Sequence, residues 1–156
     1  MTLKSDFVIR EMRECDIDEI DKLEKLSFAV PWSREAIAGE LKNPLARFFV
    51  CLKGGALLGY CGTHTLLGVM SIVSIASNPR SRRTGVAQAM LSHLLEIAER
   101  ESLEAVILEV RESNTAARAF YEKNGFEHVG KRPRYYERPV EDALLMTLFL
   151  KKSEEN

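Results

Sequence analysis

The apolar residues of this chain follow two spacings, one typical of β-strands and the other of α-helices. Short runs rich in β-branched and aromatic residues predict strands at 7–11, 48–53, 57–65, 70–76, 105–110, 125–131 and 143–150. Gly54-Gly55 predicts a hairpin turn between the second and third strands. The run at 105–110 is almost continuously apolar, which is typical of a strand buried on both faces.

Four other segments have the spacing of amphipathic helices. The first follows an acidic turn, and its apolar residues are Ile17, Ile20, Leu23, Leu26 and Phe28. Ser33 is suited to cap a short second helix, which should end near 43–44. A long third helix at 86–101 is apolar on one half, so that half must pack against a sheet. Asn114 can cap a fourth helix at 115–123, closed by Gly125.

The charge balance and the lengths of the apolar runs exclude some classes of protein. The chain has 156 residues, of which 22 are basic and 23 acidic, and its formal net charge is −1. This balance argues against a general nucleic-acid coat, which needs a dominant basic surface. No apolar run could span a bilayer, and no signal segment follows the N-terminus. We therefore predict a soluble, cytoplasmic protein with no direct contact to nucleic acid or to a membrane.

The chain shows no repeat and no linker, so we expect one α/β domain over 1–156, with its core at about 7–150 and a solvated tail at 151–156. Its three cysteines are far apart, lack CxxC spacing and do not cluster with histidines. Neither a disulfide framework nor a metal site is therefore expected.

The segment most suggestive of chemistry follows the fourth predicted strand and enters the long helix. It reads Arg82-Arg83-Thr84-Gly85-Val86-Ala87. A helix N-terminus offers unpaired N–H groups and a positive dipole end, and a glycine there lets a ligand approach the backbone. These features describe a pyrophosphate site, although neither P-loop nor dinucleotide spacing is present. A tight turn with solvated arginines explains the same residues equally well.

Four blocks of the sequence resemble one family. Arg82, Gly85 and Ala87 fill the pattern (Gln or Arg)-x-x-Gly-x-(Gly or Ala), which resembles the acetyl-CoA signature of GNAT N-acetyltransferases. The segments 108–114 (LEVRESN) and 119–126 (AFYEKNGF) are similar to a block of the RimI-type branch. Pro31-Trp32-Ser33 resembles that branch's PWS element, and 134–143 resembles its N-Y-Y…EDA element.

Two positions depart from the family pattern. Ala87 replaces the commoner second glycine, which the pattern allows, and Ser77 stands where valine is usual. Neither departure puts cofactor binding in serious doubt. The resemblance implies a GNAT fold, namely a mixed, mostly antiparallel sheet that splays near the fourth and fifth strands and carries helices on both faces.

The resemblance also implies an activity. RimI-type enzymes transfer acetyl from acetyl-CoA to a protein N-terminus, the namesake acceptor being the N-terminal alanine of small-subunit ribosomal protein eighteen. It implies direct transfer in a ternary complex, and no cysteine in the motif blocks could carry the acetyl group. A protein N-terminus, and specifically that of a ribosomal protein, is therefore the expected partner. The sequence leaves the oligomeric state open.

Site residues follow from the resemblance, position by position. Glu109 would be the general base and Tyr121 the general acid. The residues that would hold acetyl-CoA are Ile75, Ala76, Ser77, Arg83, Thr84, Gly85, Val86, Ala87, Gln88 and Asn114. Trp32, Tyr135 and Tyr136 would line the groove for the acceptor peptide.

The residues themselves allow a second explanation for each role. Glu109 is the only charge within 105–110, where a buried carboxylate suits general-base work, but it could instead pair with Arg111 or Arg118 at an exposed strand end. Asn114 and Tyr121 are two helical turns apart and could face one ligand. They could equally be a plain N-cap and a core aromatic. The three groove aromatics could instead cover core edges.

Alternative functions remain open at this point. The same chemistry could act on a lysine side chain or a small-molecule amine. A non-catalytic acyl-CoA-binding module is a different class of protein, but such a module needs neither Glu109 nor Tyr121. A nucleotide-binding protein is disfavoured because Walker and Rossmann spacings are absent.

Overall fold

The computed structural model describes residues 6–150. The predicted tail at 151–156 lies outside the described residues. Strands in the described part are β1 Val8–Glu11, β2 Ala46–Lys53, β3 Ala56–Leu66, β4 Val69–Ser77, β5 Ala105–Arg111, β6 Glu127–Tyr136 and β7 Glu141–Phe149. The α-helices are α1 Ile17–Ser27, α2 Arg34–Glu40, α3 Val86–Arg100 and α4 Thr115–Lys123.

All the strands join one sheet, in the order β1-β2-β3-β4-β5-β7-β6. Neighbours are antiparallel except β4 and β5, which run parallel. That parallel pairing covers only Val69–Ser71 against Ala105–Ile107, so the two strands separate beyond Ser71. The fold is therefore the expected mixed, mostly antiparallel α/β sheet, and it splays between the fourth and fifth strands.

Alternation along the strands directs side chains to two cores. Phe49 and Cys51 of β2 pack in a core with α3, whereas Phe48 and Val50 pack on the other face with α1 and α2. Tyr121 of α4 belongs to the α3 side. The helices thus cover both faces of the sheet, as predicted.

A β-bulge interrupts the pairing of β3 with β4. Gly62 opposes Ser74 and Thr63 opposes Ile72, which leaves Val73 without a partner residue. A bulge re-aims the side chains beside it. Here it lets Val73 pack in the α1 core while the neighbouring Ser74 also reaches the α1 side, where it bonds Tyr60.

Local capping signals in the sequence work as predicted. The Ser33 hydroxyl accepts the Ala36 N–H at 3.1 Å, and Asn114 Oδ1 accepts the Ala117 N–H at 3.1 Å. After α4, Gly125 takes φ +94°, and the Phe126 N–H donates to the Tyr121 carbonyl at 3.0 Å. This is a Schellman ending, which satisfies carbonyls that the last helical turn leaves unpaired.

The exposed and buried sides of α1 differ from the prediction. Leu26 is 65% exposed and Phe28 is 41% exposed, whereas Asp21 and Glu24 are buried. Leu26 lies three positions after Leu23 but on the far side of the helix from Ile17 and Ile20, and Phe28 lies beyond the helix end. The buried face of α1 therefore carries carboxylates.

Two strand predictions also need correction. β5 is not buried on both faces, because Ile107 is 37% exposed. β6 continues to Tyr136, five residues beyond the predicted strand end at position 131. Register shifts between His128 and Gly130 and between Arg132 and Tyr136 let this irregular segment remain paired with β7.

Gly62 offers a test of the packing between β3 and the α1 core. A Cβ built there would lie 2.3 Å from the Phe48 ring, so we expect Gly62→Ala to lower the free energy of unfolding by about 2 kcal/mol. Gly39, exposed in α2, is the matched control, because its Cβ would meet nothing within 4 Å. Gly39→Ala should raise stability by up to about 1 kcal/mol. Urea denaturation measures both, and a Gly62→Ala midpoint at or above the parent's would contradict this packing.

None of the helices in the described part is long and apolar enough to cross a membrane. Residues 6–150 also contain no group of three or more His, Cys, Asp or Glu side chains arranged to hold a metal ion.

Candidate active site

The separation of β4 and β5 opens a cavity of about 650 Å³ between the two cores. Because β4 beyond Ser71 pairs only with β3, its edge toward β5 faces this cavity. The residues singled out from the sequence that line it are Trp32, Ile75, Ala76, Ser77, Arg82, Ala87, Glu109, Asn114, Tyr121 and Tyr136. Those that do not line it are Arg83, Thr84, Gly85, Val86, Gln88 and Tyr135.

The loop before α3 forms one rim of the cavity. Gly85 caps α3 in the left-handed conformation with φ +91°, and Arg83 also has a positive φ of +66°. α3 begins directly after this loop, so its first N–H groups have no acceptors within the helix and lie at the positive end of the helix dipole. Ala87 and Arg82 line the cavity beside this end. The rim suits an anionic group, such as the pyrophosphate of acetyl-CoA.

Three residues of this loop and of the first turn of α3 have side chains engaged elsewhere. Val86 is buried in the core, and the Thr84 hydroxyl donates to the Ser81 carbonyl. Gln88 exchanges hydrogen bonds with the Asn124 side chain at 2.8 and 3.2 Å, which ties α3 to the end of α4. At these positions only the backbone could meet a phosphate.

Tyr121 reaches the cavity from α4. Its ring packs edge-on against Phe120 and Phe126, with centroids 5.2 and 5.5 Å away. Burial raises the pKa of the Tyr121 phenol well above its usual value. A phenol in this state stays protonated and can donate a proton into the cavity.

Glu109 reaches the cavity from β5, and its side chain lies on the face of the sheet opposite to that of Tyr121. Leu108 and Val110 pack in the α3 core, so the alternation of β5 turns Glu109 toward the α1 side. Its Oε2 is buried and accepts no hydrogen bond from the described residues. The nearest cation is Arg132, whose Nε lies 3.6 Å from Oε2. The sequence left open a pairing of Glu109 with Arg111 or Arg118. The ion pairs of the described residues do not include either pairing, and Arg111 pairs instead with Glu141.

Arg111 instead fixes the β6–β7 hairpin over the cavity. Its guanidinium donates to the carbonyls of Glu137 at 2.8 Å and Pro139 at 3.0 Å, and to Glu141 at 3.2 Å. It also lies 4.5 Å from the centre of the Tyr136 ring. Burial and the charge of Glu109 raise the pKa of Tyr136 to about 12. The hairpin thus holds a neutral Tyr136 beside Glu109.

Tyr135 occupies the outer side of the same hairpin and is 49% exposed. Its ring packs edge-on against Tyr136 at 5.0 Å and lies below the Arg132 guanidinium at 5.7 Å. Burial, with a contribution from Glu109, raises the pKa of Tyr135. Tyr135 therefore does not line the cavity but contacts Tyr136, which does.

Sequence reasoning missed the contribution of α1 and the loop after it. Glu24 and Ser27 line the cavity, and so do the loop residues 28–30. The sequence did contain a signal for Glu24. It falls on the same helical face as Ile17 and Ile20, and a charged residue on an apolar face needs an explanation. Arg111 was considered only as a partner for Glu109, and its contacts with 137–141 depend on the hairpin geometry.

Comparisons with known proteins agree with this architecture. The model of the acetyltransferase (GNAT) family matches residues 17–126. The ribosomal protein bS18-alanine N-acetyltransferase of Haemophilus influenzae is 31% identical over 149 residues, which cover 92% of this chain and 99% of the relative.

Solved structures show the same fold. The crystal structure of the ribosomal-protein-S18-alanine N-acetyltransferase from Escherichia coli matches with a TM-score of 0.89 at 30% identity, covering 96% of this chain and 97% of that one. A Bacillus anthracis protein solved in complex with acetyl coenzyme A matches with a TM-score of 0.76 at 20% identity, covering 93% and 99%. This second likeness concerns the fold alone.

Proposed function

Because the chain belongs to the acetyltransferase (GNAT) family, we propose that it transfers acetyl from acetyl-CoA to the N-terminal amino group of a protein, with the N-terminal alanine of ribosomal protein bS18 as acceptor. The relatives in Haemophilus influenzae and Escherichia coli carry that activity in their names. The observation that carries the proposal is that Glu109 and Tyr121, from different elements, line one cavity at the split between β4 and β5.

Three features of the cavity support acetyl-CoA as its ligand. The edge of β4 at 75–77 has no β5 partner, so its backbone is available to pair with the amide groups of an extended pantetheine arm. The N-terminus of α3 and Arg82 supply positive charge where the pyrophosphate would lie. Asn114 lines the same cavity while its Oδ1 caps α4, so its amide N–H₂ is left to meet the cofactor. When bound, acetyl-CoA supplies an activated thioester.

The chain's own residues would then move two protons. Glu109, whose Oε2 accepts no hydrogen bond from the described residues, accepts a proton from the acceptor's α-ammonium, directly or through one water. Tyr121, kept protonated by burial, donates a proton to the thiolate that leaves. A backbone donor at the bulge near Val73 polarises the acetyl carbonyl, and the cavity walls align amine and thioester. On this mechanism the free amine attacks directly.

Thiol release from acetyl-CoA tests the proposal. The acceptor is a short peptide with the N-terminus of ribosomal protein bS18, and the control is the same peptide with a blocked N-terminus. We expect turnover on the free peptide and none on the blocked one. No turnover on the free peptide, in a protein whose melting temperature acetyl-CoA still raises, would overturn the choice of acceptor and leave the cofactor site standing.

The raised pKa of Tyr121 gives a prediction for alkaline pH. An acid whose pKa is raised keeps its proton to higher pH, so loss of the acid form should begin only above the ordinary phenol pKa of about 10. We therefore expect kcat on the free peptide to rise with pH and then stay level to at least about pH 9.5. A profile of kcat against pH checks this, and a falling limb centred below about pH 9 would contradict the role given to Tyr121.

A further inference from the structure

Glu24 is a buried carboxylate that the proposed chemistry does not use. It is 1% exposed and lies in the last turns of α1, in the wall of the cavity. Its Oε1 accepts the Trp32 N–H at 2.8 Å, and its Oε2 accepts the Tyr60 hydroxyl. Ser74, which the β4 bulge turns toward α1, lies 2.7 Å from the Tyr60 oxygen and 3.5 Å from Oε2. The carboxylate is therefore held in place by neutral donors.

The charge of Glu24 has no cationic partner among residues 6–150. The neighbouring Lys25 turns outward and pairs with Asp21 at 2.9 Å, and the ion pairs of the described residues do not include Glu24. Burying a carboxylate without a counter-ion is expensive, because neutral donors replace only part of its hydration. Such a group is expected where a cation arrives from outside the chain.

A second polar group, the Ser27 hydroxyl, lies at the same place. Ser27, one turn after Glu24, lines the cavity, and its Oγ is buried without a hydrogen bond to any residue that the structure describes. The helix ends there, so the negative end of the α1 dipole faces the cavity as well. A buried carboxylate, an unpaired hydroxyl oxygen and a helix C-terminus all favour positive charge at this wall.

We propose that Glu24 and Ser27 form a subsite that recognises the acceptor as an ammonium cation before Glu109 removes its proton. This inference rests on the proposed function, which brings an α-ammonium into the cavity. Ser27 Oγ accepts one ammonium N–H, and Glu24 supplies the charge that favours a cationic acceptor over a neutral one. Glu24 is thus a specificity-determining residue, separate from the proposed base.

The other face of the sheet contributes positive charge to the same cavity. α3 and α4 pack on that face, away from α1. Arg82, Ala87 and Asn114 line the cavity near the N-termini of these two helices, where the helix dipoles are positive. An anionic cofactor and a cationic acceptor would therefore be drawn to different ends of one cavity. This polarity favours a complex in which both are bound with the amine directed at the thioester.

The test separates charge recognition from simple positioning of the loop. Two peptides are compared, both with the bS18 sequence, but one has hydrogen in place of the α-amino group. Their dissociation constants are measured with CoA present. The parent should bind the free-amine peptide about 10-fold more tightly than the deaminated one. Glu24→Gln keeps an oxygen for the Trp32 N–H and removes the charge, so it should erase this difference by weakening only the free-amine peptide.

Two further variants keep the test decisive. Ser27→Ala should weaken only the free-amine peptide, by about 3- to 10-fold, and it decides the matter if Glu24→Gln does not fold. Glu35→Gln, an exposed carboxylate in α2 outside the cavity, should change neither constant.

The outcomes are distinct. Equal weakening of both peptides in Glu24→Gln or Ser27→Ala would mean that the residue only positions the loop, and it would overturn the subsite. An unchanged preference in both variants would overturn it too. If the parent neither binds nor acetylates the free peptide, the proposed function fails and the subsite with it.

Discussion

Replacing Glu109 with Gln should lower kcat/KM on the free peptide by about 10²- to 10⁴-fold, the range that a positioned general base contributes. The amide preserves the shape of the side chain but cannot take a proton from the acceptor. Because Glu109 stands on a strand whose neighbours Leu108 and Val110 remain packed, the melting temperature and the affinity for acetyl-CoA should change little. Steady-state kinetics together with calorimetric titration of acetyl-CoA measure both effects.

Glu112→Gln is the matched control for this variant. Glu112 lies three residues further along, outside the cavity, and pairs with Lys131 on the surface. Solvent screens exposed ion pairs of this kind, so its loss should leave kcat/KM within about 2-fold of the parent. A kcat/KM of Glu109→Gln within about 10-fold of the parent value would contradict the assignment of Glu109 as the base. Water or another group would then take the proton.

Tyr121→Phe should have the second large effect and lower kcat by about 10²-fold or more. The phenol reaches the cavity, whereas its ring packs between Phe120 and Phe126, so phenylalanine preserves the packing and removes only the proton donor. We expect KM for acetyl-CoA to stay close to the parent value, because the lost step is protonation of the leaving thiolate. A variant that loses affinity for acetyl-CoA but keeps kcat would instead assign Tyr121 to cofactor binding.

Several features of the fold depend only on short stretches of sequence. Ser33, Asn114 and Gly125 act through partners at most five residues away, so their roles could be predicted from the local chain. The apolar runs likewise gave the strands to within a few residues, apart from the end of β6. The family, and with it the strand that splays, followed from four ordered blocks, and the family match confirms that resemblance.

Other features depend on contacts across the chain that no local pattern contains. Gln88 is among the residues predicted to hold acetyl-CoA, and its side-chain amide pairs with Asn124, 36 positions away. Arg111 holds a hairpin 26 to 30 positions further on. Glu24 needs Tyr60 and Ser74 from two different strands, and Ser74 reaches it because of a bulge. Each is a long-range pairing whose partner is fixed only when the sheet assembles.

The proposed catalytic pair, Glu109 and Tyr121, could be predicted from the sequence only in part. Glu109 was notable in the sequence as a lone charge in an apolar strand, and Tyr121 as a helical aromatic two turns after Asn114. Neither pattern indicates that the two side chains line one cavity from two elements. That convergence depends on β4 and β5 pairing for three residues and then separating. Their roles as base and acid remain predictions for the kinetics above.

The position of the acetyl group on the product tests the central proposal most directly. A bS18 N-terminal peptide carrying an added internal lysine offers both an α-amine and an ε-amine to the protein and acetyl-CoA. Fragmentation mass spectrometry of the product then assigns the added acetyl group to one nitrogen. We predict that it lies on the N-terminal nitrogen, with the lysine unmodified. Acetyl on the lysine, with the N-terminus left free, would contradict the proposal.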